Sequence, residues 1–312
     1  MLLSLIKRSL AALVLLVVLS IAGFAVLRLM PGDFVTVLLT AQMDGQMPKP
    51  EVVAAFAHER GFDAPLPMQY LRWLGQFLSG DMGLSLTQKR PVSQMLGDAA
   101  WNSLLLAATT LSAALLVAVP VAAISAMRPN TLLDRALMMF AVAGMSVPTF
   151  WYALLASLLF VLYLGLLPSS GFSTPAHIVL PALVAATGIA GLLARYLRTI
   201  LLEESAKPYM LAARASGCGP VRALVQHAFP NAMPAILTVV GAQVIHVFEG
   251  MLVIETIFNW PGMGRLFVNA LMSRDFPVIQ ACFITIGGAY VIANLIVDLV
   301  IAGLDRRAYG AV

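Results

Sequence analysis

Long apolar runs alternate with short polar connections along most of the chain. A helix needs about 20 residues to cross the hydrocarbon core of a membrane. The runs that reach this length are Ser9–Leu27, Ser103–Met127, Ala136–Leu167, Ile178–Leu202, Met233–Ile257 and Val278–Leu304. The pattern therefore predicts an all-α integral membrane protein with six transmembrane helices.

Two of these runs have unusual lengths. The third is too long for one perpendicular helix and too short for two helices with a loop, so we expect one tilted helix bent near Pro148. The first, which follows Lys7 and Arg8, is longer than the core of a usual signal peptide and lacks a convincing small-residue cleavage site. We expect it to be retained as the first span.

Composition agrees with a membrane protein, because 60% of the 312 residues are hydrophobic and 11% are charged. These values exclude a soluble two-domain protein. Cys218 and Cys282 fall in a polar connection and in the sixth run, so we expect neither a disulfide nor a metal site from them.

The flanks of the apolar runs carry an uneven distribution of basic residues. Eleven of the nineteen lie on one side of the predicted membrane, namely Lys7, Arg8, Arg128, Arg135, Arg195, Arg198, Lys207, Arg214, Arg222, Arg306 and Arg307. Cytoplasmic loops are enriched in Lys and Arg, so both termini are predicted to be cytoplasmic. Arg195 and Arg198 are expected to extend toward the membrane surface. The basic balance gives no reason to invoke nucleic acid.

The longest polar connection, from Pro31 to about Trp101, lies outside the cytoplasm in this orientation. Prolines precede two predicted short helices there, Glu51–Arg60 and Met68–Leu78. We expect a small helical extracytoplasmic domain. It is too short to be an independent substrate-binding domain, so substrate capture is expected to belong to a separate protein.

A polar, basic segment separates the fourth and fifth apolar runs. It keeps Ala212, Ala213, Gly217 and Pro230 at the spacing of the loop by which permeases of ATP-driven importers dock on their ATPases, and it resembles that loop. It departs from the pattern at Leu211 (Glu in the pattern), His227 (Ile) and Phe229 (Leu).

We call residues 203–232 the coupling loop. Its candidate contact residues are Tyr209, Leu211, Ala212, Ala213, Arg214, Gly217 and Pro230. The small side chains of Ala212 and Ala213 would let a partner approach the backbone closely. The alternative is an ordinary basic loop that ends in a helix-capping glycine.

Further motifs extend the resemblance over almost the whole chain. The pair formed by residues 255–265 and 274–280 strongly resembles the permeases of dipeptide, oligopeptide and nickel ABC importers. Other matches are Leu29–Asp33, Gly80–Ser85 and Asn294–Leu299. The resemblance implies a type I importer permease of a bacterial inner membrane that works by alternating access.

The resemblance also implies partners: a homologous second permease in a heterodimer, two cytoplasmic ABC ATPase subunits, and an extracytoplasmic solute-binding protein. No Gly-x-x-x-x-Gly-Lys-Ser/Thr motif occurs here, so ATP and Mg are expected to be used by the partner ATPases and no cofactor is expected on this chain. The implied substrate is a di- or oligopeptide. Nickel, a metal chelate or glutathione remain alternatives.

The predicted domains follow from these motifs. They are an N-terminal tail with the first helix (1–30), the extracytoplasmic loop domain (31–100), a five-helix permease core (101–304) and a cytoplasmic tail (305–312).

An extracytoplasmic turn is predicted after the fifth span, with an indole anchored at the membrane interface and charged residues in polar surroundings. Its residues are Trp260, Pro261, Gly262, Gly264, Arg265 and Asp275. A structural turn and a direct substrate contact both remain open.

Candidate pathway residues in the fifth span are His246, Glu249 and Glu255. His246 and Glu249 are three residues apart and share a helix face. An acid in an apolar span should face a protein-lined or water-filled path, where Glu249 could attract a cationic group. The alternatives are a buried Glu249 that packs against the sister subunit, and an ion-coupled secondary transporter in which these residues and Asp298 act as relay groups.

Overall fold

The computed structural model describes the backbone of residues 2–28, 35–36, 39–40, 43 and 46–309, and the side chains of these residues except 2–5, 26–28, 60, 301–302 and 304–309. This part of the chain forms helices joined by turns and loops, without a β-strand. The predicted all-α fold is confirmed. The motif at Leu29–Asp33 lies outside the described residues.

The helices are α1 (Leu2–Arg28), α2 (Pro50–Arg60), α3 (Leu66–Leu78), α4 (Val92–Met127), α5 (Leu132–Ser146), α6 (Thr149–Ala156), α7 (Val179–Ser205), α8 (Pro208–Ala215), α9 (Pro220–Ala223), α10 (Phe229–Ile257), α11 (Met263–Ser273) and α12 (Phe276–Tyr309). A π-helical segment continues α6 over Ser157–Tyr163, and another joins α9 to α10 over Leu224–Ala228. A 3₁₀ turn over Pro175–Ile178 leads into α7. The two predicted short helices of the long connection are present as α2 and α3.

Five helical segments of the described chain are long and apolar enough to cross a membrane, and the pair α5 and α6 makes a sixth if it counts as one span. The two helices of this pair meet at 100°. The expected single bent helix is therefore corrected to a broken one. Val147 has an extended backbone, because a proline disfavours the helical conformation of the residue before it.

Two compact units divide the chain. The first unit comprises Ser103–Pro261 and Ala293–Val312, and the second comprises Leu2–Asn102 and Gly262–Ile292. The boundary after Asn102 falls beside the predicted start of the permease core. The predicted division into four domains stays a prediction.

Small residues pack the core of the first unit. Ala114, Ala118 and Ala122 recur at every fourth position of α4 and are buried, which gives that helix a narrow face for close contact. Between α5 and α7 the contact is closer still. A Cβ added at Gly191 would lie 2.3 Å from the carbonyl oxygen of Ala141, so only glycine fits there.

In the second unit, α4 begins eleven residues before the apolar run that predicted it. Val92, Met95, Leu96 and Ala99 are buried in the core of this unit. Their spacing places them on one face of the helix. Polar residues between them interrupt the apolar pattern, so the apolar run that begins at Ser103 did not predict this amphipathic extension.

Candidate functional site

One face of α8 is held by the protein and the other is open. Pro208 begins the helix, where its missing N–H leaves no hydrogen bond unmade. Met210 is buried in the core of the first unit. Leu211, in contrast, is 62% exposed, and Ala212 and Arg214 are also exposed, while Ala213 is half-buried.

Gly217 ends α8 in the left-handed region, with φ +85°. The N–H of Gly217 donates to the carbonyl of Arg214 at 3.0 Å, and the N–H of Cys218 donates to the carbonyl of Ala213 at 3.1 Å. These two bonds form a Schellman motif, which requires a residue that tolerates positive φ. A Cβ at Gly217 would meet no atom within 4 Å. The glycine is therefore required by backbone conformation and not by crowding within the chain.

Tyr209 attaches α8 to the ends of two long helices. Its hydroxyl donates to Oε1 of Glu204 at the end of α7, at 2.7 Å, and it also interacts with the side chain of Asn231 at the start of α10. Lys207 Nζ donates to the other oxygen of Glu204 at 2.7 Å. Burial, together with the carboxylate of Glu204, raises the pKa of Tyr209 to about 12. Tyr209 therefore stays protonated, and remains a hydrogen-bond donor, throughout the physiological pH range.

The rest of the coupling loop continues the exposed surface. On and after α9, Val221 and Val225 are about 60% exposed. Pro230 lies in the first turn of α10, where a proline is tolerated. The seven predicted coupling residues thus lie on α8, at its cap or in the first turn of α10. Within the described part of the chain, Tyr209 is the member of this set whose side chain hydrogen-bonds to another helix, and the sequence pattern did not distinguish it.

A buried carboxylate joins three helices near the coupling loop, and the sequence did not reveal it. Arg198 of α7 binds Asp134 of α5 through two hydrogen bonds, Nε to Oδ1 and Nη2 to Oδ2, each 2.7 Å long. Ser125 of α4 also donates to this carboxylate, as does the N–H of Asn130 at 2.8 Å. Arg198 is therefore held by Asp134, and the expectation that its side chain extends toward the membrane surface stays a prediction. The signal available was Thr131, whose hydroxyl caps the N–H of Asp134.

Of the three predicted pathway residues, the structure brings two together. Nδ1 of His246 lies 3.0 Å from Oε2 of Glu249, and both side chains are more than half exposed. Their predicted placement on one helix face is confirmed. Glu255 differs, because it is fully buried and accepts a hydrogen bond from Ser103 of α4.

At the end of α10, Trp260 is 2% exposed. Its ring packs edge-on against Phe172, with the centroids 4.9 Å apart. Asn259 has φ +54°, and the N–H of Trp260 donates to the carbonyl of Glu255 at 2.8 Å. This cap turns the indole into the core of the first unit. The structure therefore does not place this indole at a membrane interface, and Pro261 follows it half-buried.

The remaining residues of the predicted turn belong to the second unit. Gly262 precedes α11, Gly264 is buried in its first turn and Arg265 is half-buried. Asp275 follows the helix and is buried.

Asp275 links two sequence motifs that are 190 residues apart. Its Oδ2 accepts hydrogen bonds from Ser85 Oγ at 2.5 Å and from Thr87 Oγ1 at 2.8 Å, and its Oδ1 accepts from the N–H of Leu86 at 3.1 Å. These contacts satisfy the buried carboxylate with groups of the Gly80–Ser85 motif and the residues after it. These contacts indicate that Asp275 fixes the loop that contains Ser85, Leu86 and Thr87.

The described residues contain no group of three or more His, Cys, Asp and Glu side chains arranged to hold a metal ion. The features that could bind a partner or a substrate are therefore the exposed loop surface, the His246 and Glu249 pair, and the buried polar groups of the helices.

Two family models match the chain. Residues 118–309 match the binding-protein-dependent transport system inner membrane component, and residues 1–99 match the N-terminal region of the same membrane component. The second match ends just before the boundary between the two compact units.

Similar proteins span the whole chain. A protein named as a peptide permease in Brucella suis biovar 1 is 38% identical over 311 residues, which cover 96% of this chain and 97% of the relative. The oligopeptide transport system permease protein AppB of Bacillus subtilis is 32% identical, with 97% and 98% covered. The glutathione transport system permease protein GsiC of Salmonella paratyphi A is 32% identical, with 96% of each chain covered.

Proposed function

The chain belongs to the family of binding-protein-dependent transport system inner membrane components, and we propose that it forms one half of the pathway by which an ATP-driven importer takes up di- and oligopeptides. Members of this family are the membrane permease subunits of ABC importers, and separate subunits hydrolyse the ATP. The chain is accordingly a multi-pass inner membrane protein. The observation that carries the proposal is the open face of α8, which is anchored from behind by Tyr209 and Met210.

The choice of peptides as substrate follows the relatives. Two of them are named for peptides and oligopeptides, and the third is named for glutathione, which is itself a tripeptide. A nickel or metal-chelate importer is the alternative within the family.

The exposed surface of α8 and α9 suits a docking role. Leu211, Val221 and Val225 present apolar side chains to solvent, and Arg214 and Arg222 are exposed beside them. No acidic residue occurs between Ser205 and Phe248. We assign this surface to an ATPase subunit that offers an apolar groove with acidic residues at its border.

The anchoring of α8 provides a route from the docking surface to the membrane helices. Through Glu204 and Asn231, the hydroxyl of Tyr209 connects α8 to both α7 and α10. Closure of the ATPase pair would move α8, and these contacts would carry the displacement to the two helices. Such rigid-body movement is a known means of alternating access.

Two further partners complete the proposed assembly. A homologous permease would form a heterodimer with this chain and supply the other half of the pathway. A solute-binding protein would deliver the peptide from outside.

Glu249 is the proposed attraction point for a cationic group, such as the amino terminus of a peptide. Its exposure and its contact with His246 agree with a site that opens to the pathway. Uptake by the Glu249→Gln variant tests this role. Normal uptake would contradict it, and loss of assembly would favour packing against the sister permease.

The function is tested by reconstituting the complete importer in vesicles. We expect uptake of labelled peptide only when both ATP and the ATPase subunits are present. Uptake without the ATPase, driven by a proton or sodium gradient, would instead establish the secondary-transporter alternative.

The proposed orientation predicts a labelling pattern. In a background with Cys218→Ser and Cys282→Ala, single cysteines at the exposed positions Ser79 and Ser273 should react with a membrane-impermeant maleimide from outside. A cysteine at the exposed position Ser216 should react only after the cells are opened, because the basic flanks retain the coupling loop inside. Labelling of a cysteine at position 216 in intact cells would show that the proposed orientation is wrong.

A further inference from the structure

A cavity of about 250 Å³ lies within the first unit, among α4, α6, α7 and α10. It is far larger than the volume of one water, about 30 Å³, and slightly smaller than the pockets of about 300–1,000 Å³ that hold drug-sized ligands. Its wall is mainly small and apolar, with four polar side chains from Thr110, Thr149, Gln243 and His246. The space suits a short polar fragment, such as one peptide unit.

Thr110 is the unusual member of this wall. It is 0% exposed, and within the described residues its hydroxyl has no hydrogen-bond partner. The neighbouring Thr109 behaves in the ordinary way, because its hydroxyl donates to the carbonyls of Leu105 and Leu106 in its own helix. A buried hydroxyl without a partner carries a free-energy cost. Its position in the cavity wall suggests that the partner is a group that enters the cavity.

Gln243 adds a second polar group to the wall. The residue is 4% exposed, and its side-chain amide offers both donors and an acceptor. His246 lies one helical turn later and connects the cavity to Glu249 at 3.0 Å. Among the residues whose side chains the structure describes, no carboxylate and no Lys or Arg lines this cavity. The wall is therefore complementary to a neutral group that both donates and accepts, as an amide does.

A peptide that crosses a membrane requires such groups. Each of its backbone N–H and C=O groups loses water on entry, and in a membrane interior these groups must be satisfied by other polar partners. A wall that binds the backbone would also accept peptides with different side chains.

We propose that this cavity is a subsite of the translocation pathway that binds a peptide bond of the substrate through the Thr110 hydroxyl and the Gln243 amide. The proposal rests on peptide import as the function of the chain, and it adds the groups that contact the peptide backbone.

The first experiment removes the hydroxyl with little change of shape. Thr110→Val breaks no side-chain hydrogen bond within the described part of the chain, so assembly and melting temperature should be preserved. Uptake of diglycine at subsaturating concentration should fall roughly threefold to tenfold, the factor that one neutral hydrogen bond supplies. Thr109→Val is the matched control and should transport normally. Wild-type uptake by Thr110→Val would overturn the proposal.

The second experiment alters the peptide as well as the protein. Glycyl-sarcosine carries a methyl group in place of the peptide N–H of diglycine. The wild-type importer should prefer diglycine, and Gln243→Leu should bring the ratio of the two uptake rates toward that of the binding protein alone. The same binding protein delivers both peptides to both permeases, so its own preference cancels when the ratios are compared. A ratio unchanged by Gln243→Leu would count against the amide contact.

The wild-type importer separates failure of this subsite from failure of the proposed function. If it takes up none of diglycine, trialanine and reduced glutathione, peptide import is wrong and the subsite with it. If it takes up peptides while Thr110→Val behaves as wild type, the subsite alone is wrong.

Discussion

Replacing Gly217 with glutamate should abolish ATP-driven uptake and release the ATPase subunits, while the chain remains inserted in the membrane. Gly217 has φ +85°, a conformation that costs an ordinary residue about 1–2 kcal/mol. The substitution would therefore loosen the cap of α8. It would also place a bulky charge beside the surface on which the ATPase is proposed to dock. The measurement is co-purification of the ATPase together with uptake in reconstituted vesicles.

A series of substitutions separates the two causes. Gly217→Ala adds the conformational cost without the charge, and Gly217→Asn reduces that cost because asparagine tolerates positive φ. Gly219→Ala is the matched control, since Gly219 has φ −64° and a Cβ there would meet nothing within 4 Å. We expect coupling to decrease from wild type through Asn to Ala and Glu, with Gly219→Ala near wild type. Ala213→Glu should act in the same direction as Gly217→Glu.

A different result is expected if the coupling loop is an ordinary cytoplasmic loop. If Gly217 serves only as a cap within an ordinary loop, Gly217→Glu would lower stability slightly and the ATPase would still co-purify with normal uptake. That result would show that the ATPase does not dock on the coupling loop.

Local patterns in the sequence predicted local structure well. The apolar runs gave the membrane helices, and the prolines before Glu51 and Met68 gave the starts of α2 and α3. Gly217 was recognised as a cap or a docking element from spacing alone. Such features depend on neighbouring residues, so their signal lies within a few positions of the chain.

Contacts between distant residues were not predictable in the same way. The carboxylate of Asp275 meets Ser85 across 190 residues, and no local pattern specifies that pairing. Trp260 is of a residue type that often anchors helices at a membrane interface, yet the turn at Asn259 directs its ring against Phe172. The unpartnered hydroxyl of Thr110 was equally hidden, because it becomes visible only when α4 and α10 are placed side by side.

The pairing of Arg198 with Asp134 gives the second large prediction. Asp134 is 3% exposed and Arg198 is 22% exposed at the side chain. Removing one partner of a buried ion pair typically costs 3–5 kcal/mol, because the other charge is left uncompensated. Arg198→Met should therefore destabilise the chain by about 3 kcal/mol, the lower end of this range, since Ser125 and the N–H of Asn130 still bind the carboxylate. Thermal unfolding of the purified permease in detergent measures the effect.

Two variants show whether the uncompensated charge is the cause. Adding Asp134→Asn to Arg198→Met removes the negative charge, so the double variant should recover part of the lost stability and the two effects should not add. Arg195→Met is the matched control, because Arg195 lies on the same helix and is exposed. It should melt near the wild-type temperature, as surface substitutions usually do. If Arg195→Met and Arg198→Met are equally destabilised, the effect belongs to the general loss of a cation from α7 and not to the buried contact with Asp134.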